Sequence, residues 1–416
     1  MRCIISHPNI APYIKESVLA YQEYGVLDKF YTTYFQHPAY PFTQNLIRLF
    51  PKFEKEFKRR NIEEIEYGHL KGNPFLEMLR IFSARILNSW IENRIWELEE
   101  LNFDRWVAQK LHENIQWVHT YEHAAINTIR KAKKMNILSF YEQPSQHHHF
   151  LAQIIKEHIH LYPELKCIST DLMLDARAIK SDHRKDMELS ECDYIICNSQ
   201  FTSDTLTEAG IPQKKIIKIP YGFPAVESPM AKGSANKITF LFAGNQCLRK
   251  GVHVLYQAWK DCNFDPSNAE LIIIGKNQLP ESIKKSLPSS VKFMPNIPHN
   301  EMMDFYHKAD VFVFPTLADG FGMVISEAMS KGLPVITTMN SGGPDIIIHQ
   351  KNGFLTKVGD IKELANQMRW CYENPETTRK IGIRAMETAA AYPWSTYRKH
   401  LVSAVLEKVN ERHCII

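Results

Sequence analysis

Residues 311–338 read VFVFPTLADGFGMVISEAMSKGLPVITT, with a glycine turn and a helical segment between two short apolar runs. The apolar runs, at 311–315 and 333–338, are typical of strands buried on both faces of a parallel sheet. The chain turns at 319–322, and Gly332 is a favourable residue just beyond a helix end. The stretch therefore predicts a βαβ unit whose glycine turn lies at the carboxyl end of a strand, where open α/β sheets bind ligands.

The same alternation of apolar runs and helical segments extends over most of the chain. Further buried strands are predicted in two series, at 2–6, 117–121, 137–141 and 194–199, and at 238–244, 271–275 and 291–294. A segment rich in proline, glycine and serine, 220–236, separates the two series. At 416 residues the chain exceeds the usual size of a single core. We therefore predict two α/β domains.

The composition argues against several classes of protein. A net charge of +4 is too small to indicate a nucleic-acid partner. The apolar runs are shorter than the roughly 18 residues that a membrane span requires, and the start MRCIISHPNI does not resemble a signal peptide. The eight cysteines include no Cys-x-x-Cys pair and are expected to be reduced thiols. We expect a cytoplasmic protein.

Residues 41–100 are predicted to form a helical insertion. Apolar side chains follow two stripes at helical spacing: Leu79, Phe82, Ile86 and Trp90, and Leu87, Ile91, Ile95 and Leu98. Within the insertion, the segment 51–61, PKFEKEFKRRN, has five Lys and Arg residues beside two phenylalanines. Such a helix is compatible with peripheral contact at the inner face of a membrane. The alternative is a solvated helix face above a core stripe.

Two further loops of the second series carry ligand-binding features. In FLFAGNQCLRKGVHVLYQAW (240–259), Arg249 and Lys250 open a helix after the turn at Gly244. Cations there oppose the helix dipole, whereas a bound diphosphate explains them, because both side-chain types bind phosphate oxygens. In NSGGPDIII (340–348) a Gly-Gly turn follows a strand. Three loops are thus predicted to gather at one sheet edge.

The stretch around the first turn supplies two acids and free backbone groups. Gly320 and Gly322 allow close backbone approach and positive φ, and the following helix start favours an anionic or hydroxyl-rich ligand. Inside that helix, Glu327 shares a face with Lys331 and can accept hydrogen bonds from vicinal hydroxyls. A solvated surface carboxylate is the alternative for Glu327, and the spacing of Asp319 and Glu327 alone does not decide between them.

Taken together, these motifs resemble the retaining glycosyltransferases of family four, which have the GT-B fold. The resemblance rests on Gly244, Lys250-Gly251, PTLADGFGMVISEAMSKGLPV, SGGPD and the ending YPWSTYRKHLVSAVLEKV, and spans roughly 190–410. It implies two Rossmann-like α/β domains that face a cleft. Residues 1–222 would form an acceptor-side domain and 223–396 a nucleotide-sugar domain, with a terminal helix at 397–416 returning to the first domain.

The resemblance also implies a reaction and roles for residues. A sugar would pass from a UDP- or GDP-sugar to a hydroxyl of a carbohydrate or lipid-linked acceptor with retention of configuration, in synthesis of cell-envelope polysaccharide, lipopolysaccharide or glycolipid. Glu327 would bind the donor ribose, Asp319 the transferred sugar, and Lys250 with Arg249 the leaving diphosphate. The other implied donor contacts are Gly244, Asn245, Asn296, Gly320, Phe321, Gly322 and Met323. No metal or other cofactor is expected.

Two of these positions depart from the pattern of the family. Asn245 stands where an arginine is common, and the shorter Asp319 stands in place of a glutamate. Arg249 is a candidate to supply the missing cation. These differences affect the expected choice of sugar and base rather than the class of reaction.

The first half resembles the family less closely. His7 opens a stretch that stands in place of a glycine-rich loop but contains no glycine before Gly25. After the strand at 117–121, Glu122 and His123, along with His119, are candidates for the reacting centre, with a structural histidine as the alternative. The adjacent histidines 147–149 are predicted to belong to a polar acceptor-facing loop. A metal site is disfavoured there because neighbouring residues of a regular element point in different directions.

Two other functions remain as alternatives. One is a non-catalytic protein that binds a nucleotide sugar on the same fold. The other is a dinucleotide-dependent oxidoreductase, which has a similar architecture. An oxidoreductase would require a Gly-x-Gly-x-x-Gly turn after a strand, and the sequence does not contain one.

Overall fold

The computed structural model describes residues 1–40, 54–58, 60–75, 77–78, 89–227 and 237–413. Within them the strands are β1 (Cys3–Ser6), β2 (Leu27–Thr32), β3 (Leu70–Gly72), β4 (Trp117–Tyr121), β5 (Leu138–Gln143), β6 (Tyr194–Cys197), β7 (Ile216–Lys218), β8 (Ile238–Ala243), β9 (Ala269–Ile274), β10 (Val291–Met294), β11 (Val311–Phe314), β12 (Val335–Thr338) and β13 (Phe354–Thr356). They form two parallel sheets, ordered β3-β2-β1-β4-β5-β6-β7 and β10-β9-β8-β11-β12-β13.

Helices connect the strands of both sheets. In the first half of the chain they are α1 (Pro12–Glu23), α2 (Glu54–Lys58), α3 (Ser89–Ala108), α4 (Ile126–Lys134), α5 (His148–Leu161), α6 (Ile168–Leu174), α7 (Ala176–Glu191) and α8 (Gln200–Glu208). In the second half they are α9 (Val252–Cys262), α10 (Glu281–Lys285), α11 (His299–Lys308), α12 (Met323–Ser330), α13 (Gly343–Ile346), α14 (Ile361–Glu373), α15 (Pro375–Ala391) and α16 (Trp394–His413).

The order of the strands places a crevice at the same point in each sheet. The chain leaves β1 in one direction towards β2 and later returns on the other side to β4; β8 has β9 and β11 on its two sides in the same way. Loops that follow such neighbouring strands diverge to opposite faces of the sheet, so a crevice opens at their carboxyl ends. The loops after β8 and β11 are those that carry the predicted ligand-binding motifs.

Each sheet is the centre of its own hydrophobic core. Strands β8 and β11 are buried along most of their length in the second core, as expected for parallel strands covered by helices on both faces. The first core contains residues of β1, β4 and β5, and it also contains five side chains of α16: Tyr397, Leu401, Val402, Val405 and Val409. Helix α16 therefore completes the first core although it follows the second sheet along the chain.

The chain passes between the two domains at two adjacent points. Phe223 and Pro393 form a parallel bridge, and the nitrogen of Phe223 donates to the carbonyl of Tyr392 at 3.0 Å. A Cβ at Gly222 would lie 2.4 Å from the Cα of Trp394, so only glycine permits this crossing. Beyond it, the Ser17 and Tyr397 hydroxyls are 2.8 Å apart and join α1 to α16.

The fold agrees with the prediction from sequence. Each predicted strand is present, with its ends shifted by two residues at most. Strands β2, β3, β7 and β13 were not predicted. β2 reads LDKFYT, in which charged residues interrupt the apolar run, and the other three strands have only three residues each. Short edge strands give too little hydrophobic pattern to distinguish them from loops.

The predicted apolar stripes of the insertion are only partly inside the described residues. Residues 79–88 lie outside them, and 89–98 belong to α3, which continues to Ala108. Leu98 is 56% exposed, so the stripe that contains it is not the buried face of α3. Among the residues of α3 whose burial is described, the buried ones are Glu99, Glu100, Phe103, Asp104, Val107 and Ala108. The prediction was wrong here because the Arg184 guanidinium donates to Glu100 at 2.9 Å and so draws a charged residue inward.

The basic segment 51–61 is helical over α2, and residues 51–53 and 59 lie outside the described part. Phe57 is fully buried, with its ring 5.6 Å from that of Tyr34, and the buried Arg60 guanidinium forms an ion pair with Glu77. These contacts favour a helix that covers a core over one that lies on a membrane. Among the described helices, none is both long and apolar enough to span a bilayer.

Replacing Leu401 with alanine tests the role of α16. Leu401 is fully buried in the first core, so Leu401→Ala is expected to lower the free energy of unfolding by about 2–5 kcal/mol. Urea unfolding followed by circular dichroism measures the change. The matched control is Ser403→Ala, at an exposed position of the same helix. Equal stability of the two variants would contradict the packing described.

Candidate functional site

A cavity of about 370 Å³ lies between the carboxyl ends of the two sheets. This volume is within the range of about 300–1,000 Å³ that is usual for small-molecule sites. The first domain contributes Tyr13, Pro144, Ser145, Gln146, Leu151, Asn198 and Tyr221 to its lining, and the second contributes Arg249, Asp319, Phe321, Gly322 and Met323. The loops after β5, β8 and β11 thus meet at one place.

Arg249 and Asp319 are the charged residues of the lining, and Lys250 is joined to them through its ion pair with Asp319. Arg249 and Lys250 belong to a short 3₁₀ turn at Leu248–Lys250, and Gly251 follows at φ +67° as the residue that precedes α9. The ammonium of Lys250 forms an ion pair with Asp319, and the guanidinium of Arg249 lies 3.8 Å from the other oxygen of Asp319. Arg249 also donates to the Ala318 carbonyl at 3.1 Å.

Burial and charged neighbours shift the pKa of both Lys250 and Asp319. Burial lowers the pKa of Lys250, the neighbouring Arg249 lowers it further, and Asp319 only partly opposes this. Burial raises the pKa of Asp319, but Lys250 and Arg249 outweigh that effect and the pKa falls below its usual value. Asp319 and Lys250 thus favour each other's charged forms, and Arg249 is a second cation beside them. One unit of positive charge is left to attract an anion.

The residues of the glycine turn have distinct structural roles. Gly322 has φ +76° and immediately precedes α12, as predicted, whereas φ of Gly320 is not positive. Glycine is required at 320 for a different reason, since a Cβ there would lie 2.1 Å from the Pro144 carbonyl oxygen. Phe321 is buried against Tyr221, with ring centroids 5.4 Å apart. The turn thus contacts the first domain as well as the cavity.

Helix α12 directs its first turn at the cavity, which Met323 lines. Helix geometry leaves the first N–H groups without intrahelical acceptors, so they are available to an anion or hydroxyl. Further along α12, the half-buried Glu327 accepts a hydrogen bond of 2.9 Å from the Tyr306 hydroxyl. The ammonium of Lys331, just after α12, forms an ion pair of 2.6 Å with Glu227.

The remaining donor-side candidates lie at the same edge of the second sheet. Gly244 has φ +140° and its carbonyl would be 2.0 Å from a Cβ at Gly275, so the turns after β8 and β9 pack closely. Asn245 follows and is exposed. Asn296 follows β10 and is exposed. Neither asparagine is among the described residues that line the cavity.

His7 lies close to the cavity, beneath Tyr13 and Tyr121. Its Nδ1 accepts a hydrogen bond of 2.8 Å from the Asn9 nitrogen, and its ring meets that of Tyr121 edge-on at 5.1 Å. Burial lowers the pKa of His7 to about 4. The ring is consequently neutral at physiological pH and is held by its own turn.

Glu122 and His123 follow β4 at the carboxyl edge of the first sheet. Glu122 accepts a hydrogen bond of 2.9 Å from the Ser145 hydroxyl and lies 3.7 Å from the Lys185 ammonium. Burial raises the pKa of Glu122, but His123 and Lys185 outweigh it and the pKa falls, so the side chain is ionised. His123 adopts φ +83° and its nitrogen donates to Glu188 at 3.1 Å.

His119 can be assigned a structural role. Its ring is fully buried, with Nδ1 2.8 Å from the Tyr21 hydroxyl and Nε2 3.0 Å from Glu142. Both ring nitrogens therefore have protein partners. These contacts favour a structural role for His119 over a role at the reacting centre.

The three adjacent histidines converge, contrary to the prediction. His147, His148 and His149 and the Asp186 carboxylate of α7 place one possible ligand atom each within 4.8 Å of one another. The prediction assumed a regular element, but the histidines occupy the last loop position and first turn of α5, where the backbone changes direction. Burial lowers the pKa of His147 to about 4 and that of His148 to about 2, so both rings are neutral at pH 7.

Contacts between the domains surround the cavity, and no sequence pattern predicted them. The Ser199 hydroxyl at the start of α8 donates to the Gly320 carbonyl. Asp345, in the Gly-Gly loop, accepts a hydrogen bond of 2.8 Å from the Gln200 nitrogen and forms an ion pair of 2.9 Å with Lys218. These partners are distant in sequence, so no spacing rule connects them.

Comparison with known proteins agrees with this architecture. Residues 228–388 match the family described as glycosyl transferases group 1. Over 145 residues, 34% of this chain and 38% of its relative, the sequence is 32% identical to the capsular polysaccharide biosynthesis glycosyltransferase CapM of Staphylococcus aureus. Over 169 residues it is 33% identical to the sulfoquinovosyl transferase SQD2 of Arabidopsis thaliana, covering 40% of this chain and 32% of SQD2. The matches thus span about a third of each of these two relatives.

Among solved structures, the Anabaena protein HepE in complex with UDP-glucose is similar over 98% of this chain and 100% of its own, with a TM-score of 0.63 and 17% identity. Two parallel α/β domains that face a cleft, with a terminal helix that returns to the first, define the GT-B class. Within that class, the similarity to the family glycosyl transferases group 1 covers 228–388, most of the second domain.

A Gly320→Ala variant tests the close approach of the two domains. The added methyl group would overlap the Pro144 carbonyl oxygen, so we expect a lower thermal unfolding midpoint and a displaced turn. Gly68→Ala is the matched control, because a Cβ at Gly68 has no neighbour within 4 Å. Differential scanning calorimetry of both variants measures the effect. An unchanged unfolding midpoint of Gly320→Ala would show that the turn at Gly320 can move away from Pro144 without loss of stability.

Proposed function

We propose that this protein transfers a sugar from a nucleoside-diphosphate donor, a UDP- or GDP-sugar, to an acceptor hydroxyl with retention of configuration. The convergence of Arg249 and Lys250 with the start of α12 at the interdomain cavity carries this proposal. A diphosphate bears the charge that these groups complement. The names of CapM and SQD2 support the transfer of a sugar, and the UDP-glucose complex of HepE supports a nucleotide-sugar donor.

The leaving diphosphate would take the place that Asp319 now holds beside the cations. In this arrangement the bond between the sugar carbon and the phosphate oxygen breaks as the acceptor hydroxyl forms a new glycosidic bond on the same face. The hydroxyl proton passes to the departing phosphate oxygen. Arg249, Lys250 and the first N–H groups of α12 stabilise the negative charge that develops on the diphosphate. Asp319, released from Lys250, would then be free to accept hydrogen bonds from the transferred sugar.

Donor orientation is assigned to Glu327. Its carboxylate is positioned by the Tyr306 hydroxyl, and a carboxylate is able to accept hydrogen bonds from two vicinal hydroxyls, as a ribose presents. The backbone turn at Gly244 and Asn245, and the segment after β10 that contains Asn296, complete the donor side. No metal or other cofactor takes part in this scheme.

The acceptor is proposed to be a carbohydrate or lipid-linked sugar used in polysaccharide, lipopolysaccharide or glycolipid synthesis. The name of CapM, a capsular polysaccharide biosynthesis glycosyltransferase, supports the first of these. His7, Glu122 and His123 lie on the acceptor side, where the ionised Glu122 is held by Ser145 of the cavity. The protein is proposed to act in the cytoplasm, with peripheral contact at the inner face of the membrane where its acceptor is lipid-linked.

Removing one cation tests the proposed chemistry. Lys250→Ala is expected to lower kcat by about 100-fold or more, because a preorganised charge at the leaving group is lost. Lys260→Ala on the exposed face of α9 is the matched control. Product formation from a panel of UDP- and GDP-sugars with short oligosaccharide acceptors is the measurement. Donor binding without product from any of them would favour a non-catalytic binding protein.

A second pair of variants tests the donor contact of Glu327. Glu327→Gln is expected to weaken donor binding by about 10- to 100-fold, since charged hydrogen bonds to ribose are lost. Tyr306→Phe keeps the carboxylate and removes only the hydroxyl that positions it, so a smaller effect is expected. Ligand-dependent thermal stabilisation measures both. Equal donor affinity of Glu327→Gln and the unaltered protein would exclude the ribose role.

A further inference from the structure

A cluster of metal-binding side chains lies in the first domain, next to the loop that leads from β5 to the cavity. It consists of His147, His148 and His149 at the start of α5 and Asp186 of α7. The Nε2 atoms of the three histidines lie 3.7, 2.9 and 3.7 Å from carboxylate oxygens of Asp186. Tetrahedral zinc with bonds of ~2.0–2.1 Å separates its ligand atoms by about 3.3 Å. The groups are thus already near the required spacing.

The second observation concerns His148, whose polar atoms are buried without hydrogen bonds. Its side chain is 4% exposed, and neither ring nitrogen has a hydrogen-bond partner among the described residues. Nε2 lies 2.9 Å from an oxygen of Asp186, but without the alignment that a hydrogen bond requires. Native structures rarely leave buried polar atoms unsatisfied. A cation shared by His148 and Asp186 would supply the missing partner of Nε2.

The two outer histidines differ in what they offer. Nδ1 of His147 accepts a hydrogen bond of 3.2 Å from the His149 nitrogen, so the neutral ring of His147 carries its proton on Nε2. That N–H points towards Asp186 at 3.7 Å and is suited to hold the carboxylate rather than a metal. His149 is 65% exposed and has no such restriction. The ligands are therefore His148, His149 and Asp186, with a fourth position for water.

The surrounding charges also accommodate a cation. The nearest ammonium, that of Lys185, lies 2.6 Å from Asp182 and 3.7 Å from Glu122. Lys185 is therefore compensated by two carboxylates of its own. Asp186, by contrast, faces three imidazole rings. Two imidazole nitrogens and one carboxylate are a ligand set that suits zinc and its neighbours among the transition metals, whereas magnesium and calcium prefer oxygen.

We propose that His148, His149 and Asp186 bind a zinc-class divalent cation. The ion joins the start of α5 to α7 and so fixes the segment at 144–146, which lines the cavity and packs against the turn at Gly320. Its role is positional, because the ligands lie behind the cavity lining and do not include the cations assigned to the diphosphate. The site stands independently of the proposed transfer reaction.

Direct zinc binding tests the proposal. The full chain, purified without a polyhistidine tag and stripped with chelator, is titrated with zinc against a chromophoric chelator in the absence of any donor. We expect one equivalent to bind, and Asp186→Asn and His149→Ala to weaken binding by more than about tenfold. His160→Ala, at an exposed position of α5, should bind as the unaltered protein does. The cobalt(II) complex should show tetrahedral absorption bands without a thiolate charge-transfer band.

His149→Ala removes an exposed ring, so it keeps the test valid if changes at the buried His148 prevent folding. Circular dichroism of the zinc-free variants confirms that the fold is retained. Zinc binding by Asp186→Asn and His149→Ala with unaltered affinity would overturn the proposal, as would no binding by the unaltered chain. Because no donor or acceptor is present, either result leaves the proposed transferase activity to be judged separately.

Discussion

The ion pairing of Asp319 with Lys250 and Arg249 is the interaction on which the cavity depends. The three side chains come from loops after β8 and β11, which are neighbours in the second sheet. Burying an ammonium without a counter-ion costs free energy, so the Asp319 carboxylate stabilises the buried Lys250. A diphosphate bound in its place would act as the new counter-ion of Lys250 and Arg249, so the cations would stay compensated. The site is thus electrostatically prepared for an anion before one arrives.

Most of the fold could be predicted because parallel strands are continuous apolar runs bounded by turns. Strands β8, β11 and β12 illustrate this, since each is covered on both faces and its sequence shows little else. The edge strand β3 and the buried face of α3 could not be predicted. In β3 three residues give no period, and in α3 the partner of Glu100 is Arg184, an acid and a base that no local pattern brings together.

The site was predictable to the extent that its chemistry is local in sequence. Cations before α9 and the positive φ of Gly322 belong to single loops and follow from the turn and helix rules. The need for glycine at 320 arises from Pro144 in the other domain, and the convergence of three histidines arises from Asp186 on another helix. Such contacts depend on how elements pack, and a period or a spacing carries no information about them.

Helix α16 has a consequence for the order in which the chain can fold. Its Leu401 and Val405 belong to the first core, together with β1 and β4 from the beginning of the chain. During synthesis, the apolar face of the first domain that α16 covers therefore stays exposed until α16 has been made. Most of the second core comes from one contiguous segment, 238–389, although Ile155 and Leu165 of the first domain also belong to it. The first core is thus expected to be completed last, although most of its residues are synthesised first.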